Sequence, residues 1–151
     1  MSSETASPGV RELLDAYTVT LEWPVAWHDM DALRHVNNAK FFEYFEHARV
    51  AYEESLDSFS HGWQAGVGPI LADIYLKFHK PLFYPDTVAL GISITELKST
   101  QYRMKFIAVS REREITAATG RCLIVFYDYE AGMRTEIPPR VAEAVRKLEG
   151  I

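Results

Sequence analysis

The 151-residue chain has a single cysteine, Cys122, and therefore no means of building an internal disulfide or a zinc site of several thiolates. No apolar run approaches the roughly 20 residues that cross a bilayer as a helix. The first residues, Met1-Ser2-Ser3-Glu4-Thr5-Ala6-Ser7-Pro8, lack the basic start and apolar stretch of a secretory signal. Positive charge is also short: 16 basic against 21 acidic side chains leave a net charge of -5, which argues against nucleic-acid binding through bulk charge. There is no Gly-rich phosphate cradle, no G-x-S-x-G elbow, no H-E-x-x-H pair and no EF-hand loop. These absences lead to the expectation of a cytoplasmic protein without a nucleic-acid or membrane partner and without a metal or other cofactor.

What is present is a core. Hydrophobic residues make up 48% of the chain, with 8 Phe, 8 Tyr and 3 Trp, enough for one packed domain. Residues 1–9 are small and polar and read as a tail, leaving 10–151 as a single domain. Val10, Leu13 and Leu14 have helical spacing. From Tyr17 to Trp27 every odd position is apolar, the mark of a half-buried strand, and Pro24 points to a bulge or an edge there.

The period then changes. Phe41, Phe42, Tyr44, Phe45, Ala48, Ala51, Tyr52 and Leu56 recur every three or four residues, with Glu43, Glu46, His47, Glu53, Glu54 and Asp57 on the other side. This predicts a long helix with a broad apolar face, suited to being cupped by a curved sheet. Asn37 and Asn38 stand where N-cap residues belong. After a Gly-containing loop (His61 to Gly68), alternation returns around Ile74–Phe78, Val88–Ile94 and Tyr102–Ala108. The run Ile115–Tyr127, continuously apolar from Cys122, fits a central strand, and Ile137-Pro138-Pro139 opens a terminal helix through Lys147. The connections between strands are too short for crossover helices, so an α+β fold with a curved antiparallel sheet is expected.

Residues of catalytic type gather between the first strand and the long helix: His28-Asp29-Met30-Asp31-Ala32-Leu33-Arg34-His35-Val36-Asn37-Asn38. The loop leads into a helix N-terminus, where free N–H groups can polarise a carbonyl. A carboxylate in the same loop can attack that carbonyl or deprotonate a water.

This run, followed by Phe42, Glu46, Ala48 and Arg49, resembles the signature of the 4-hydroxybenzoyl-CoA thioesterase group of hot-dog-fold acyl-CoA thioesterases. That signature reads D-x-D-x-x-G-H-V-N-N, then an aromatic-rich helix ending near E-x-A-R. The likeness extends over roughly residues 17–140, through Pro81, Asp86, Ser99-Thr100 and Ile137-Pro138. It implies a sheet wrapped round one helix and hydrolysis of an acyl-CoA, or of an acyl-carrier-protein thioester. It implies Asp31 as the catalytic carboxylate, the Asn38 backbone amide as the group that polarises the carbonyl, and His35 in support. Lys98, beside Ser99 and Thr100 in the turn after the third strand, matches basic residues that hold coenzyme A phosphates in relatives. The aromatics of the long helix are core first, and Phe42 and Tyr44, near its start, are candidates for additionally lining an acyl tunnel. Arg34 replaces the usual Gly of the motif, and faces either solvent or a phosphate or carboxylate of the ligand. Relatives place the site between two edge-paired copies, which implies self-association as a homodimer or homotetramer.

Blander readings stand beside these. Asp29 reads as an Asx turn or the partner of a strand neighbour in a salt bridge. Asp29, Asp31 and His35 as metal ligands follow no recognised spacing. His28, His47, His61 and His79 read as surface or strand-face residues, and Cys122 as a buried thiol. The alternative to an enzyme is a hot-dog protein that binds acyl-CoA without cleaving it, as a sensor or carrier. A dehydratase on the same fold lacks support, because no G-D-x-N-P-x-H-like stretch is present.

Overall fold

The computed structural model describes residues 8–56 and 66–151. Residues 1–7 of the expected tail, Asp57, and the His61–Ala65 part of the expected loop lie outside them. In chain order the elements are α1 (Val10–Leu14), β1 (Val19–Pro24), a 3-10 turn (Trp27–Asp29), α2 (Asn38–Ser55), β2 (Val67–Phe78), β3 (Thr87–Leu97), β4 (Gln101–Ser110), β5 (Ile115–Asp128), a short β6 (Met133–Arg134) and α3 (Pro139–Glu149). No helix among the described residues is long and apolar enough to cross a membrane.

All strand pairings are antiparallel, in the order β1-β3-β4-β5-β2, with β6 against the end of β5. The sheet curls round α2. Phe41, Tyr44, Phe45, Ala48 and Tyr52 of the helix are buried in one cluster with Leu90 and Ile92 of β3, Met104 and Phe106 of β4, and Ile124 of β5. Those aromatic anchors occupy the interior because a helix with so wide an apolar arc finds enough cover only inside a curved sheet. This is a hot-dog fold. β5, with its continuous apolar run, lies between β4 and β2 as an interior strand.

Three expectations are corrected. β1 stops at Pro24 instead of running to Trp27, because the chain turns into the 3-10 segment closed by Asp29. Trp27 is consequently 71% exposed; Trp23, still within β1, is 38% exposed and stacks on His47 with ring centroids 3.7 Å apart. Phe42, placed on the apolar arc, is 42% exposed. Glu53, placed on the polar side, is buried, where it accepts hydrogen bonds from Arg49 Nη1 at 3.1 Å and the Tyr102 hydroxyl at 3.3 Å. Burial raises the Glu53 carboxyl above its ordinary range, and the Arg49 guanidinium opposes that rise.

Two close approaches shape the sheet. A Cβ on Gly120 of β5 would lie 2.4 Å from Leu76 Cδ2 and 2.7 Å from the Tyr75 carbonyl oxygen, so only glycine lets β2 sit this near. On the convex face, a Cβ on Gly91 would lie 2.8 Å from Tyr17. Tyr17 and the α1 residues Val10, Leu13 and Leu14 cover Ala89, Ile107 and Val109 there. The outer edge of β2, by contrast, is unpaired among the described residues.

The end of α3 is latched by one carboxylate. Ile94 lies beyond the start of β1, whose first residue Val19 pairs with Ile92. Glu149 Oε1 accepts the Ile94 N–H at 2.9 Å and the Tyr52 hydroxyl at 2.5 Å, while Oε2 accepts the Thr18 hydroxyl at 2.6 Å. Glu149→Ala leaves these donors without their acceptor and is expected to cost about 3 kcal/mol, read as a lowered urea midpoint with unchanged slope.

Candidate functional site

The loop between β1 and α2 is a small hairpin of its own. Met30 and Val36 form an antiparallel bridge, the Asp31 N–H donates to the His35 carbonyl at 3.1 Å, and the Arg34 N–H donates to the Asp31 carbonyl at 3.0 Å. Val25 N–H bonds to the Asp86 carbonyl and Val36 N–H to the Leu82 carbonyl, which ties the loop to the β2–β3 connection. Arg34 adopts a left-handed backbone with φ 66°. The motif's glycine position thus keeps its conformation with a side chain that disfavours it.

The two carboxylates of the loop have opposite surroundings. Asp29 is buried; its Oδ2 accepts the Ala26 N–H at 2.8 Å and the Tyr44 hydroxyl at 3.2 Å, and Lys40 Nζ lies 3.7 Å from Oδ1. The role is structural, but its partners are the 3-10 turn and the helix α2 rather than an Asx turn or a strand neighbour. Asp31 is partly exposed, and Oδ1 accepts the Leu33 N–H at 2.8 Å. Its Oδ2 has no hydrogen-bond or ion-pair partner among the described residues.

At the start of α2, Asn37 is the N-cap. Its side-chain oxygen accepts the Ala39 N–H at 2.9 Å, its carbonyl accepts the Lys40 N–H, and its own N–H donates to the Asp29 carbonyl. The Asn38 N–H is left without a partner among the described residues. Asn38 also lines a pocket of about 210 Å³, together with His35, Phe41, Phe78, His79 and Lys80, with Val36 and Pro81; Asp31 and Arg34 are not among its lining residues. Phe41 and Phe78 meet edge to face in its wall, with centroids 5.3 Å apart.

His35 and Asn38 therefore come together, with Asp31 and Arg34 on the adjoining hairpin. Tyr44 does not join them. Its ring is in the core, its hydroxyl on Asp29, and burial pushes its pKa far above the usual range, so it supports the loop and is not among the residues lining the pocket. Lys98, Ser99 and Thr100 stand apart too, in the β3–β4 turn. Lys98 pairs with Glu96 at 3.3 Å, and Lys98 and Ser99 border a separate groove against α3. The 11 residues of β3, at about 3.3 Å each, put that turn about 33 Å from the Thr87 end near the loop.

Phe78, His79 and Lys80 are the residues that sequence reading misses. Both the His79 and Lys80 N–H groups donate to the Ala117 carbonyl, at 2.8 and 3.2 Å, beside a register shift where β4 meets β5. His79 Nε2 lies 2.7 Å from Thr119 Oγ1. Only the antiparallel order of β2 and β5 brings this segment to the helix start. Pro81, which ends the alternating run, is the one sequence signal at that place. Cys122 is buried, with its thiol pushed up to about 12 by burial, and so is inert. Among the described residues, no three His, Cys, Asp or Glu side chains gather in a way that would hold a metal ion.

Comparison with known proteins agrees with this architecture. The family model described as the thioesterase-like superfamily matches residues 25–145, and the chain belongs to that family. Among solved structures, a thioesterase of Thermus thermophilus, crystallised with coenzyme A and zinc, is 28% identical with a TM-score of 0.78, covering 91% of this chain and 98% of its own. A Pseudomonas aeruginosa protein provisionally named a thioesterase is 29% identical with a TM-score of 0.76, covering 85% and 98%. A protein of Aquifex aeolicus (strain VF5), provisionally named an esterase, is 26% identical over 124 residues, or 81% of this chain and 93% of that protein.

The left-handed turn makes its own prediction. Arg34→Gly removes the steric cost of φ 66° and is expected to raise stability by about 1 kcal/mol, measured by urea unfolding.

Proposed function

We propose that this protein hydrolyses acyl thioesters, with coenzyme A or an acyl-carrier protein as the thiol carrier. The observation that carries the reading is that Asn38, whose N–H at the start of α2 has no partner among the described residues, lines a pocket next to the hairpin that holds Asp31. The thioester oxygen takes the Asn38 N–H, at the positive end of the helix, where negative charge developing on that oxygen is stabilised. Asp31 then acts in one of two ways. As nucleophile it bonds to the carbonyl carbon, expels the thiolate and leaves an anhydride that water opens. As base it takes a proton from water, hydroxide adds to the carbon, and the collapsing adduct releases the thiolate, which gains the proton. Both routes yield a carboxylic acid and a free thiol. His35 lines the pocket and supports the loop through its carbonyl, which accepts the Asp31 N–H.

Asp31→Asn is expected to lower thiol release by about 10³-fold while leaving the unfolding midpoint within experimental error. Asp29→Asn is expected to do the reverse, losing stability first. Tight binding of acyl-CoA by the wild-type protein with no thiol release would favour the binding-only alternative. After one turnover in ¹⁸O-water, label within Asp31 would identify the nucleophilic route.

A second copy completes this reading. β2 presents an open edge of 12 residues, and its inward Leu71, Ile74 and Leu76 are only partly covered at the margin of the core. Two copies joined antiparallel along β2 would reverse the direction of the second sheet. That brings the Lys98–Thr100 turn of one copy to the α2 start of the other, where phosphates of a bound coenzyme would meet it. Light scattering is expected to give at least a dimer, and a fully active monomer would remove this part of the reading.

A further inference from the structure

The pocket at the start of α2 has a charge pattern unlike that of the whole chain. The chain carries a net -5, yet the eight residues lining this pocket include a lysine and two histidines and no acid. Five basic residues of the fold are ion-paired: Lys40 with Glu43, Arg49 with Glu46 and Glu53, Lys98 and Arg103 with Glu96, and Arg111 with Glu22; Lys77, Arg140 and Lys147 are not paired among the described residues, but none of them lines this pocket. Lys80 has no ion-pair partner among the described residues, and neither has the exposed Arg34, next in sequence to the lining residue His35. Lys80 is not placed loosely, since the main-chain bonds of His79 and Lys80 to the Ala117 carbonyl fix where its side chain begins. The Phe41–Phe78 aromatic pair also lines it. A small apolar chamber with an uncompensated cation at its rim suits a short apolar group that ends in a negative charge.

We propose that the acyl group taken by this site is compact and bears a second carboxylate, which pairs with Lys80. The proposal rests on the thioesterase reading and names the substrate class within it. The phosphates of coenzyme A are the other source of negative charge. Asn38 and Lys80 line one chamber of about 210 Å³, whereas the full pantetheine arm separates a thioester from those phosphates. The distal carboxylate of a short diacid lies within the dimensions of the chamber.

The test compares the CoA thioesters of succinic and butyric acid, whose coenzyme is identical. Wild-type kcat/KM is expected to favour succinyl-CoA by about tenfold, the size of one charge-assisted hydrogen bond. In Lys80→Met that ratio falls to near one, and in Lys80→Arg it returns, whatever the absolute rates. The same pair is titrated calorimetrically into Asp31→Asn, with and without Lys80→Met. A binding preference that depends on Lys80 would support the proposal even if neither ester were hydrolysed, in which case the thioesterase reading alone would fall. A ratio near one in the wild type, or one unchanged by Lys80→Met, overturns the proposal. Equal weakening of both CoA esters, with the matching N-acetylcysteamine thioesters unaffected, would assign Lys80 to the coenzyme phosphates and overturn it as well.

Discussion

The buried carboxylate of Asp29 is the constraint on which the rest of the site depends. Through Oδ2 it closes the 3-10 turn at Ala26 and grips the Tyr44 hydroxyl, and through its carbonyl it receives the Asn37 N–H at the helix cap. One residue thereby ties the end of β1, the interior face of α2 and the first turn of α2 into a single body. Burying an ionised group is costly unless its oxygens are bonded, and Lys40 adds a cation 3.7 Å away. Stripped of that anchor, the hairpin would have only its ties to the β2–β3 connection to fix it against the helix.

Two acids separated by one residue thus have divided roles. A strand continuing through Met30 would have turned both side chains the same way. The 3-10 turn instead sends Asp29 inward to the helix and leaves Asp31 partly exposed, with one oxygen unengaged among the described residues. The same local bend moves Trp27 out to solvent. Arg34, next to the lining residue His35, keeps the left-handed turn of the hairpin although its Cβ resists it, so conformation there is imposed by the surrounding bonds.

Much of the fold was legible because its signals are periodic. The arc from Phe41 to Leu56, the Asn37 cap and the alternating strands each report a local geometry that the tertiary structure keeps. The misreadings fall where a long-range partner overrides the local pattern. Glu53 looks solvent-facing until Arg49 and Tyr102 are seen to hold it inside. Tyr44 is core as its spacing has it, but the periodic pattern does not reveal that its hydroxyl is claimed by Asp29. Lys80 looks like one more strand lysine, because nothing near it in sequence reveals that β2 ends beside the helix cap. The Asp31-to-Asn38 run was visible since loop, cap and helix are contiguous in the chain.

The irregularity of β5 at Ala117 has a broader bearing. There one carbonyl receives two successive amides from the segment that follows β2, so the placement of His79 and Lys80 is inherited from a fault in strand alignment. Gain or loss of a single residue at this point would slide an entire wall of the chamber past the helix tip, altering its width and the reach of its cation together. Descendants of such a scaffold could acquire new ligand preferences through strand length, with every side chain of the chamber conserved.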